Sequence, residues 1–161
     1  MELIIQKVDY QDGHHADHLI GLLAAYALDP MGGGEPLPKQ VKQNLVSELA
    51  SLPYAVSFLA YHGDRPVGLL NAFEGFSTFK AKPLLNIHDL AVLQESRGMG
   101  VGEALLNHAE NYARERGFCK LTLEVLAGNQ IAKNLYKKSG FQGYQLHDSA
   151  GSAEFWQKSL A

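Results

Sequence analysis

The segment Arg97-Gly98-Met99-Gly100-Val101-Gly102 joins a predicted strand to a predicted helix. Its three glycines occupy alternate positions, so the backbone can approach a ligand closely and direct several N–H groups at one point. Arg97 adds a full positive charge beside this turn. We interpret the segment as a phosphate-binding turn at the positive end of a helix. The alternative interpretation is a tight turn that needs glycine only for its backbone conformation.

The spacing of the glycines excludes two common phosphate-binding motifs. A Walker A loop requires a lysine directly after its second glycine, whereas Gly102 is followed by Glu103. A dinucleotide-binding turn requires a further glycine or alanine, and that position is occupied by Glu103 or Leu105, depending on which glycine starts the motif. We therefore expect neither a nucleoside triphosphatase nor a nicotinamide-dependent enzyme.

The composition is typical of a single compact domain, here residues 1–161, with 46% hydrophobic and 19% charged positions. Fourteen Lys and Arg against seventeen Asp and Glu give a net charge of −3. Affinity for nucleic acid or for an anionic membrane surface is therefore not expected. The N-terminus has no basic signal region, and no apolar run approaches the length of about 18 residues that spans a membrane, so we expect a cytoplasmic protein.

Neither a metal site nor a disulfide is expected. The single cysteine, Cys119, excludes a disulfide framework and a four-thiolate zinc site, and we interpret it as a small buried hydrophobic residue. His14, His15 and His18 fall at a predicted exposed helix start without an evident carboxylate partner, so we interpret them as part of a solvated polar face.

The hydrophobic pattern predicts an α+β fold with a largely antiparallel sheet. A helix that contains Leu19 and Leu22 is stopped by Asp29-Pro30, and alternation on both sides of a Gly63-Asp64 turn indicates an antiparallel hairpin over residues 54–74. The predicted elements are, in order, a strand at 3–8, two helices, the hairpin, a strand at 85–92, a helix that begins at Val101, a strand at 119–125, a short helix after Asn129 and two strands from Phe141 onward. Seven strands and four helices result.

Residues 30–38 have the most flexible composition in the chain, because three consecutive glycines are flanked by prolines. Two interpretations stay open. The segment is either a linker between two helices or a mobile flap that gates a substrate site.

Three segments match motifs of one known family. The turn Arg97–Gly102 matches its acetyl-CoA motif, Gln/Arg-x-x-Gly-x-Gly/Ala, and Asn129 followed by Tyr136 and Gly140-Phe141 matches a second signature. The sequence therefore resembles the GNAT superfamily of N-acetyltransferases, and Ile87–Val92 is similar to a strand of its polyamine and aminoglycoside branches. The resemblance covers nearly the whole chain. It implies a mixed, largely antiparallel central sheet of about seven strands with four helices packed on both faces.

The resemblance implies that acetyl-CoA is the co-substrate. Its pantetheine arm would pair like an additional strand with the backbone of Leu90, Ala91 and Val92, and an N–H group of that strand would face the thioester oxygen. Asn129 matches a cofactor-side asparagine of the family, although a helix N-cap explains it equally well and both roles can hold. The pyrophosphate would lie beside Arg97 on the backbone N–H groups of Gly98, Met99, Gly100, Val101, Gly102 and Glu103.

Tyr136 matches the tyrosine that the family places near the thioester sulfur, where it can act as a general acid. A phenol with an ordinary pKa near 10 stays protonated at neutral pH and can donate. The alternative interpretation is an aromatic side chain that packs on Ala132, one helical turn earlier.

The general base is open among four alternatives. Asp89 lies where the resembled branches place a carboxylate, and strand alternation is expected to send it to the opposite face from His88. Glu124, on the polar face of the next strand, is a third candidate. The fourth alternative is a water relay without a single base.

The expected activity is transfer of an acetyl group from acetyl-CoA to a primary amine of a small molecule, such as a polyamine or an aminoglycoside, by direct attack. The alternatives are an inactive acyl-CoA-binding or regulatory module and an acetyltransferase of peptide N-termini. A negatively charged acceptor side would come from Asp29, Glu35, Glu74 and Asp89. Many relatives form dimers, and we expect a homodimer contact, if one exists, around Phe155 and Trp156.

Overall fold

A five-stranded sheet organises the computed structural model, which describes residues 2–160. The strands are β1 (Leu3–Lys7), β2 (Ala55–His62), β3 (Arg65–Ser77), β4 (Lys82–Val92) and β5 (Leu121–Leu123). They lie side by side in chain order. Strands β1 to β4 are antiparallel to their neighbours, and β5 is parallel to β4. The predicted α+β class with a largely antiparallel sheet is confirmed, as is the hairpin that turns at Gly63-Asp64.

Four α-helices are present among the described residues: α1 (Gly13–Leu28), α2 (Lys39–Ala50), α3 (Val101–Glu115) and α4 (Gln130–Lys138). The Asp12 carboxylate begins α1 by accepting hydrogen bonds from the N–H groups of His14 and His15 at 2.8 and 3.1 Å. Asn129 begins α4 in the same way, because its Oδ1 accepts from the Ala132 N–H at 3.2 Å. The predicted N-cap role of Asn129 is therefore confirmed.

Helices α1 and α2 cover one face of the sheet. Leu19 and Leu22 of α1 and Leu49 of α2 belong to one buried cluster. The other members of the cluster come from β2, β3 and the residue after β1, namely Val8, Leu59, Tyr61 and Leu69. Removing these apolar side chains from water stabilises the packing of both helices on the sheet.

Helix α3 covers the opposite face. The Phe58 ring lies 4.8 Å from the ring of His108 and 5.5 Å from that of Tyr112. Phe58 directly precedes Leu59, a member of the buried cluster under α1 and α2, so the two side chains point to opposite faces of the sheet. Gly68 lets α3 approach closely, since a Cβ atom there would lie 2.7 Å from Val101 Cγ1. Helices on both faces are thus confirmed for α1, α2 and α3.

The chain divides into two compact units, one that ends at Leu123 and one that begins at Glu124. The first unit holds the sheet and α1 to α3. The second unit holds α4 and the segment that follows it. There, Gly140 adopts a φ of 90°, which ends α4, and the Phe141 N–H donates to the Tyr136 carbonyl at 2.9 Å.

The predicted count of seven strands is wrong, because the sheet has five. The two additional strands were expected after Phe141, where the described residues form one isolated antiparallel bridge, Gln145↔Ser152. One bridge leaves the neighbouring N–H and C=O groups without the ladder that defines a strand. The predicted strand at 119–125 is also shorter than expected, since its ladder with β4 covers only Leu121–Leu123.

Residues 2–160 contain neither a membrane-spanning helix nor a cluster of metal ligands. No helix in this part of the chain is long and apolar enough to cross a membrane. No group of three or more His, Cys, Asp or Glu side chains there is arranged to hold a metal ion. His18 differs from the expected solvated residue, because it is half-buried and its Nδ1 forms a hydrogen bond of 2.9 Å with the hydroxyl of the buried Tyr61 in β2.

Candidate active site

The turn between β4 and α3 presents an open, glycine-lined surface. Gly98 and Gly100 have φ values of 76° and 81°, in the left-handed region that favours glycine. A Cβ atom at either position would meet no heavy atom within 4 Å, so the space above the backbone is open. Gly100 precedes the first residue of α3 and has no side chain to cap it. The first N–H groups of α3 therefore stand at the positive end of the helix without a side-chain acceptor at the cap.

Arg97 is held across this turn by two hydrogen bonds. Its Nη2 donates to Asp29 Oδ2 at 2.7 Å, and its Nε donates to the Val92 carbonyl at 3.2 Å. Asp29 follows α1, and its Oδ1 accepts from the Met31 N–H at 2.9 Å. The guanidinium and this N–H group hold the pKa of Asp29 below its ordinary value. The end of α1, the end of β4 and the glycine turn are thus joined through one charge pair.

A cavity of about 370 Å³ lies between the end of α1 and the end of β4. Tyr26 lines it from α1, Asp29 and Pro30 from the segment that follows, and Arg97 from the glycine turn. Its β4 side consists of Ala91 and Val92. The predicted acidic residues Glu35 and Glu74 are exposed and do not line it.

The side of β4 that faces away from β3 is only partly paired. The register with β5 covers Leu85–Ile87, whereas the register with β3 continues to Val92. Leu90, Ala91 and Val92 therefore have no strand partner on that side within the described sheet. An extended ligand can pair with such an edge through backbone hydrogen bonds.

A bulge in β4 places His88 and Asp89 on the same face of the sheet. In the register with β3, Asn71 faces Asp89 but the next residue, Ala72, faces Ile87, so His88 is the additional residue. The His88 ring packs 5.6 Å from the ring of Phe73, two residues along β3 from Asn71. The expectation that alternation separates the two side chains is wrong, because it assumed a regular strand.

Asp89 is half-buried and hydrogen-bonded across the sheet. The amide Nδ2 of Asn71 donates to Asp89 Oδ2 at 3.0 Å, and Asn71 is itself buried. Burial raises the pKa of Tyr26 in α1, and the negative charges of Asp89 and Asp29 raise it further. Both carboxylates therefore act on the same phenol beside the cavity. His88, in contrast, is exposed.

The remaining predicted residues belong to the second unit. The Tyr136 ring packs at 5.9 Å on that of Phe141, nearly edge to face, which the sequence pattern did not indicate. Asn129 caps α4, and Glu124 is exposed. The proposed parts of all three residues in a reaction stay predictions from the motifs.

Two functional candidates escaped the sequence pattern. Asn71 is a polar residue inside the apolar run of β3, and Ser57, its partner across the ladder, is a polar residue inside the apolar run of β2. A buried polar side chain within an apolar strand is the signal that could have identified them. Their pairing also depended on an irregular register that the turn sequence does not indicate.

The sequence profile of the Acetyltransferase (GNAT) family matches residues 25–141. The streptothricin acetyltransferase of Streptomyces lavendulae is 38% identical over 85 residues, which is 53% of this chain and 43% of that protein. The chain spans about half the length of the curated relatives that it matches. The chain belongs to the GNAT family of acetyltransferases.

Solved structures show the same fold. The crystal structure of a probable acetyltransferase superposes with a TM-score of 0.79 at 23% identity, over 100% of this chain and 99% of that one. The aminoglycoside acetyltransferase AAC(6')-Iy, solved in complex with a bisubstrate analogue of CoA and acetylneamine, superposes with a TM-score of 0.77 at 16% identity, over 99% and 100% of the two chains. At these identities the similarity establishes the fold.

Proposed function

We propose that the chain is an acetyl-CoA-dependent N-acetyltransferase that acts on a primary amine of a small cationic molecule. The observation that carries the proposal is the open turn Gly98–Gly100 at the uncapped start of α3, beside an arginine and an unpaired strand edge. Membership in the acetyltransferase family supports the same activity. The proposal treats residues 1–161 as one catalytic domain, which fits a family match that runs from residue 25 to residue 141.

Acetyl-CoA is proposed as the donor because the residues present fit its two extended parts. The pyrophosphate needs several convergent N–H donors, and the first turn of α3 offers them together with Gly98 and Gly100. Arg97 supplies a cation there once its guanidinium exchanges Asp29 for phosphate oxygens. The pantetheine amides need backbone partners, which the free edge at 90–92 supplies. A related fold solved with a CoA-containing analogue agrees with this assignment.

A cationic acceptor is proposed because of the carboxylates near Tyr26. The hydrogen bond from Asn71 to Asp89 comes from a neutral amide, so it leaves the negative charge of Asp89 in place. A protonated primary amine is attracted to such a half-buried charge more strongly than a neutral molecule is. Aminoglycosides and polyamines carry several such amines, and aminoglycoside acetyltransferases are among the structural neighbours.

The chemistry requires a neutral amine, a stabilised oxyanion and a proton for the departing thiolate. Asp89 is proposed to accept the proton of the ammonium group, directly or through a water molecule. The amine nitrogen then bonds to the thioester carbonyl carbon, a backbone N–H of residues 90–92 stabilises the oxygen, and the C–S bond breaks. Tyr136 is proposed to give its proton to the thiolate, and the attacking nitrogen releases its second proton through water to the Tyr136 phenolate, which restores the neutral phenol. Its role rests on the family motif.

The proposal is tested by thiol release from acetyl-CoA with a panel of acceptors. The panel contains a polyamine, an aminoglycoside and a peptide with a free N-terminus. Turnover with the polyamine or the aminoglycoside supports the proposal. Turnover with the peptide alone would show that the acceptor is a peptide N-terminus. Acetyl-CoA binding without turnover on any acceptor points to a binding or regulatory module. A cytoplasmic location and a homodimer stay predictions, the latter with the exposed Phe155 and Trp156 as its expected contact.

A further inference from the structure

A chain of hydrogen bonds crosses three strands and ends at Asp89. The Tyr10 hydroxyl lies 2.8 Å from Ser57 Oγ, Ser57 Oγ donates to Asn71 Oδ1 at 2.6 Å, and Asn71 Nδ2 donates to Asp89 Oδ2 at 3.0 Å. Tyr10 follows β1, Ser57 is in β2 and Asn71 is in β3. The chain lies on the face of the sheet that α1 and α2 cover, since Ser57 and Leu59 are two residues apart in β2.

The donor and acceptor of each hydrogen bond in this series follow from the number of protons available. Asn71 Oδ1 can only accept, so the single hydroxyl proton of Ser57 is used on it. Tyr10 must therefore donate to Ser57 Oγ. Burial raises the pKa of Tyr10, so the phenol keeps this proton at neutral pH. Every donor points toward Asp89, and the end of the chain is an N–H group that suits an ionised carboxylate.

The Asp89 carboxylate decides which end of the Asn71 amide faces it. In the reverse orientation the amide oxygen would face the carboxylate, and two acceptors would meet without a proton between them. The Ser57 hydroxyl, which can donate or accept, gives its proton to the amide oxygen and so holds the other end. Ser57 and Asn71 are 1% and 3% exposed, so neither can replace a lost partner with bulk water.

We propose that Asn71 is a positioning residue that holds the Asp89 carboxylate for proton acceptance, and that Ser57 and Tyr10 hold its amide in place. The proposal rests on the proposed function, in which Asp89 is the base. Asn71 holds one carboxylate oxygen, Oδ2, so the other oxygen is directed by the same contact. The titratable groups around Asp89 are Tyr26 of α1, on which the charges of Asp89 and Asp29 both act, and the neighbouring exposed His88.

The test compares the variants Asn71→Leu, Ser57→Ala and Tyr10→Phe with the unaltered protein. In each protein, NMR measures the chemical shift of the Asp89 carboxyl carbon at one fixed neutral pH, and steady-state kinetics gives kcat and KM. Because Asn71→Leu removes the hydrogen bond to Asp89 Oδ2, it is expected to change this chemical shift and to lower kcat roughly tenfold with KM nearly unchanged. Both effects should be smaller for Ser57→Ala and smallest for Tyr10→Phe.

Asn86→Leu is the matched control. Asn86 lies in β4, the strand that contains Asp89. It is half-buried, and its Nδ2 donates to the hydroxyl of Thr122 at 2.9 Å. Its loss removes a comparable bond between strands without touching the hydrogen bonds that lead to Asp89, so the chemical shift of the Asp89 carboxyl carbon should stay unchanged. Ser57→Thr keeps a hydroxyl donor and should keep this chemical shift close to that of the unaltered protein. If Asn71→Leu does not fold, Ser57→Ala and Ser57→Thr decide the outcome.

The proposal is overturned if the chemical shift of the Asp89 carboxyl carbon is the same in Asn71→Leu or Ser57→Ala as in Asn86→Leu. This readout needs no turnover, so it is independent of the proposed function. If the chemical shift changes in the expected order but Asp89→Asn keeps kcat/KM, Asp89 is not the base and the proposed mechanism fails instead.

Discussion

Arg97 and Asp29, 68 residues apart in the sequence, form an ion pair in which Nη2 donates to Oδ2 at 2.7 Å. The pair connects the glycine turn with the segment that follows α1, where residues 30–38 begin. An arginine that is predicted to bind phosphate is therefore already paired with a carboxylate. Acetyl-CoA must compete with Asp29 for this guanidinium.

Substitutions of the two partners should act on acetyl-CoA binding with opposite signs. Arg97→Gln removes a charged donor and should raise the KM for acetyl-CoA roughly tenfold. Asp29→Asn removes the competing charge and should lower this KM or leave it unchanged. Steady-state kinetics at several acetyl-CoA concentrations measures both. Arg114→Gln, which breaks an ion pair with Glu110 at the other end of α3, is the control and should change neither. A raised KM in Asp29→Asn would show that Asp29 assists phosphate binding.

Gly100→Ala tests the glycine turn. A φ of 81° places the new side chain in the left-handed region, at an expected cost of about 1–2 kcal/mol in the free energy of unfolding. The methyl group also occupies the open space where the phosphate is proposed to approach, so acetyl-CoA affinity should fall by more than tenfold, roughly the size of one lost charged hydrogen bond. Denaturant unfolding and isothermal titration with acetyl-CoA measure the two effects.

Gly13→Ala is the control for that substitution. Gly13 is the first residue of α1, and a Cβ atom there also meets nothing within 4 Å, but its φ is not in the left-handed region. The free energy of unfolding should stay the same or rise slightly. Unaltered acetyl-CoA affinity in Gly100→Ala would remove the turn from the binding site.

Asp89→Asn and His88→Asn separate the two candidate bases on the same face of β4. Asp89→Asn should lower kcat/KM roughly 100-fold, the usual size of a general-base contribution, and should remove the acidic limb of its pH profile. His88→Asn should keep that limb, because His88 is exposed and packs on Phe73. If His88→Asn removes the acidic limb and Asp89→Asn keeps it, His88 is the general base. An intact limb in both variants favours a water relay or Glu124.

Tyr136→Phe tests the proposed general acid. The substitution keeps the ring that packs on Phe141 and removes only the hydroxyl, so acetyl-CoA binding should stay unchanged. Turnover should fall roughly 100-fold because the thiolate loses its proton donor. Tyr144→Phe, in the same unit, is the control. Equal turnover in the two variants would leave Tyr136 with a packing role alone.

The sequence predicted the elements of the first unit but could not predict their register. A two-residue turn at Gly63-Asp64 with a regular ladder pairs Ser57 with Leu70. The structure pairs Ser57 with Asn71, because the register shifts by one residue after Ala60↔Gly68. A one-residue shift exchanges the faces of a strand, so the contact between Ser57 and Asn71 depends on this bulge.

The bulge in β4 likewise changes which face of the sheet a side chain occupies at the candidate site. Regular alternation separates His88 from Asp89, whereas the additional residue brings both to the face that α1 covers. The pair of Arg97 and Asp29 was out of reach for a different reason, since nothing in the local pattern indicates contacts between distant segments. The glycine turn was predictable because its function needs consecutive residues.

The most direct test of the central claim follows both products of one reaction. The purified chain is incubated with acetyl-CoA and an aminoglycoside or a polyamine, free thiol is measured with a chromogenic disulfide, and the acceptor is analysed by mass spectrometry. The account predicts equimolar thiol and singly acetylated amine, with a rate that depends on both substrates. It is contradicted if acetyl-CoA binds but neither product forms with any amine acceptor.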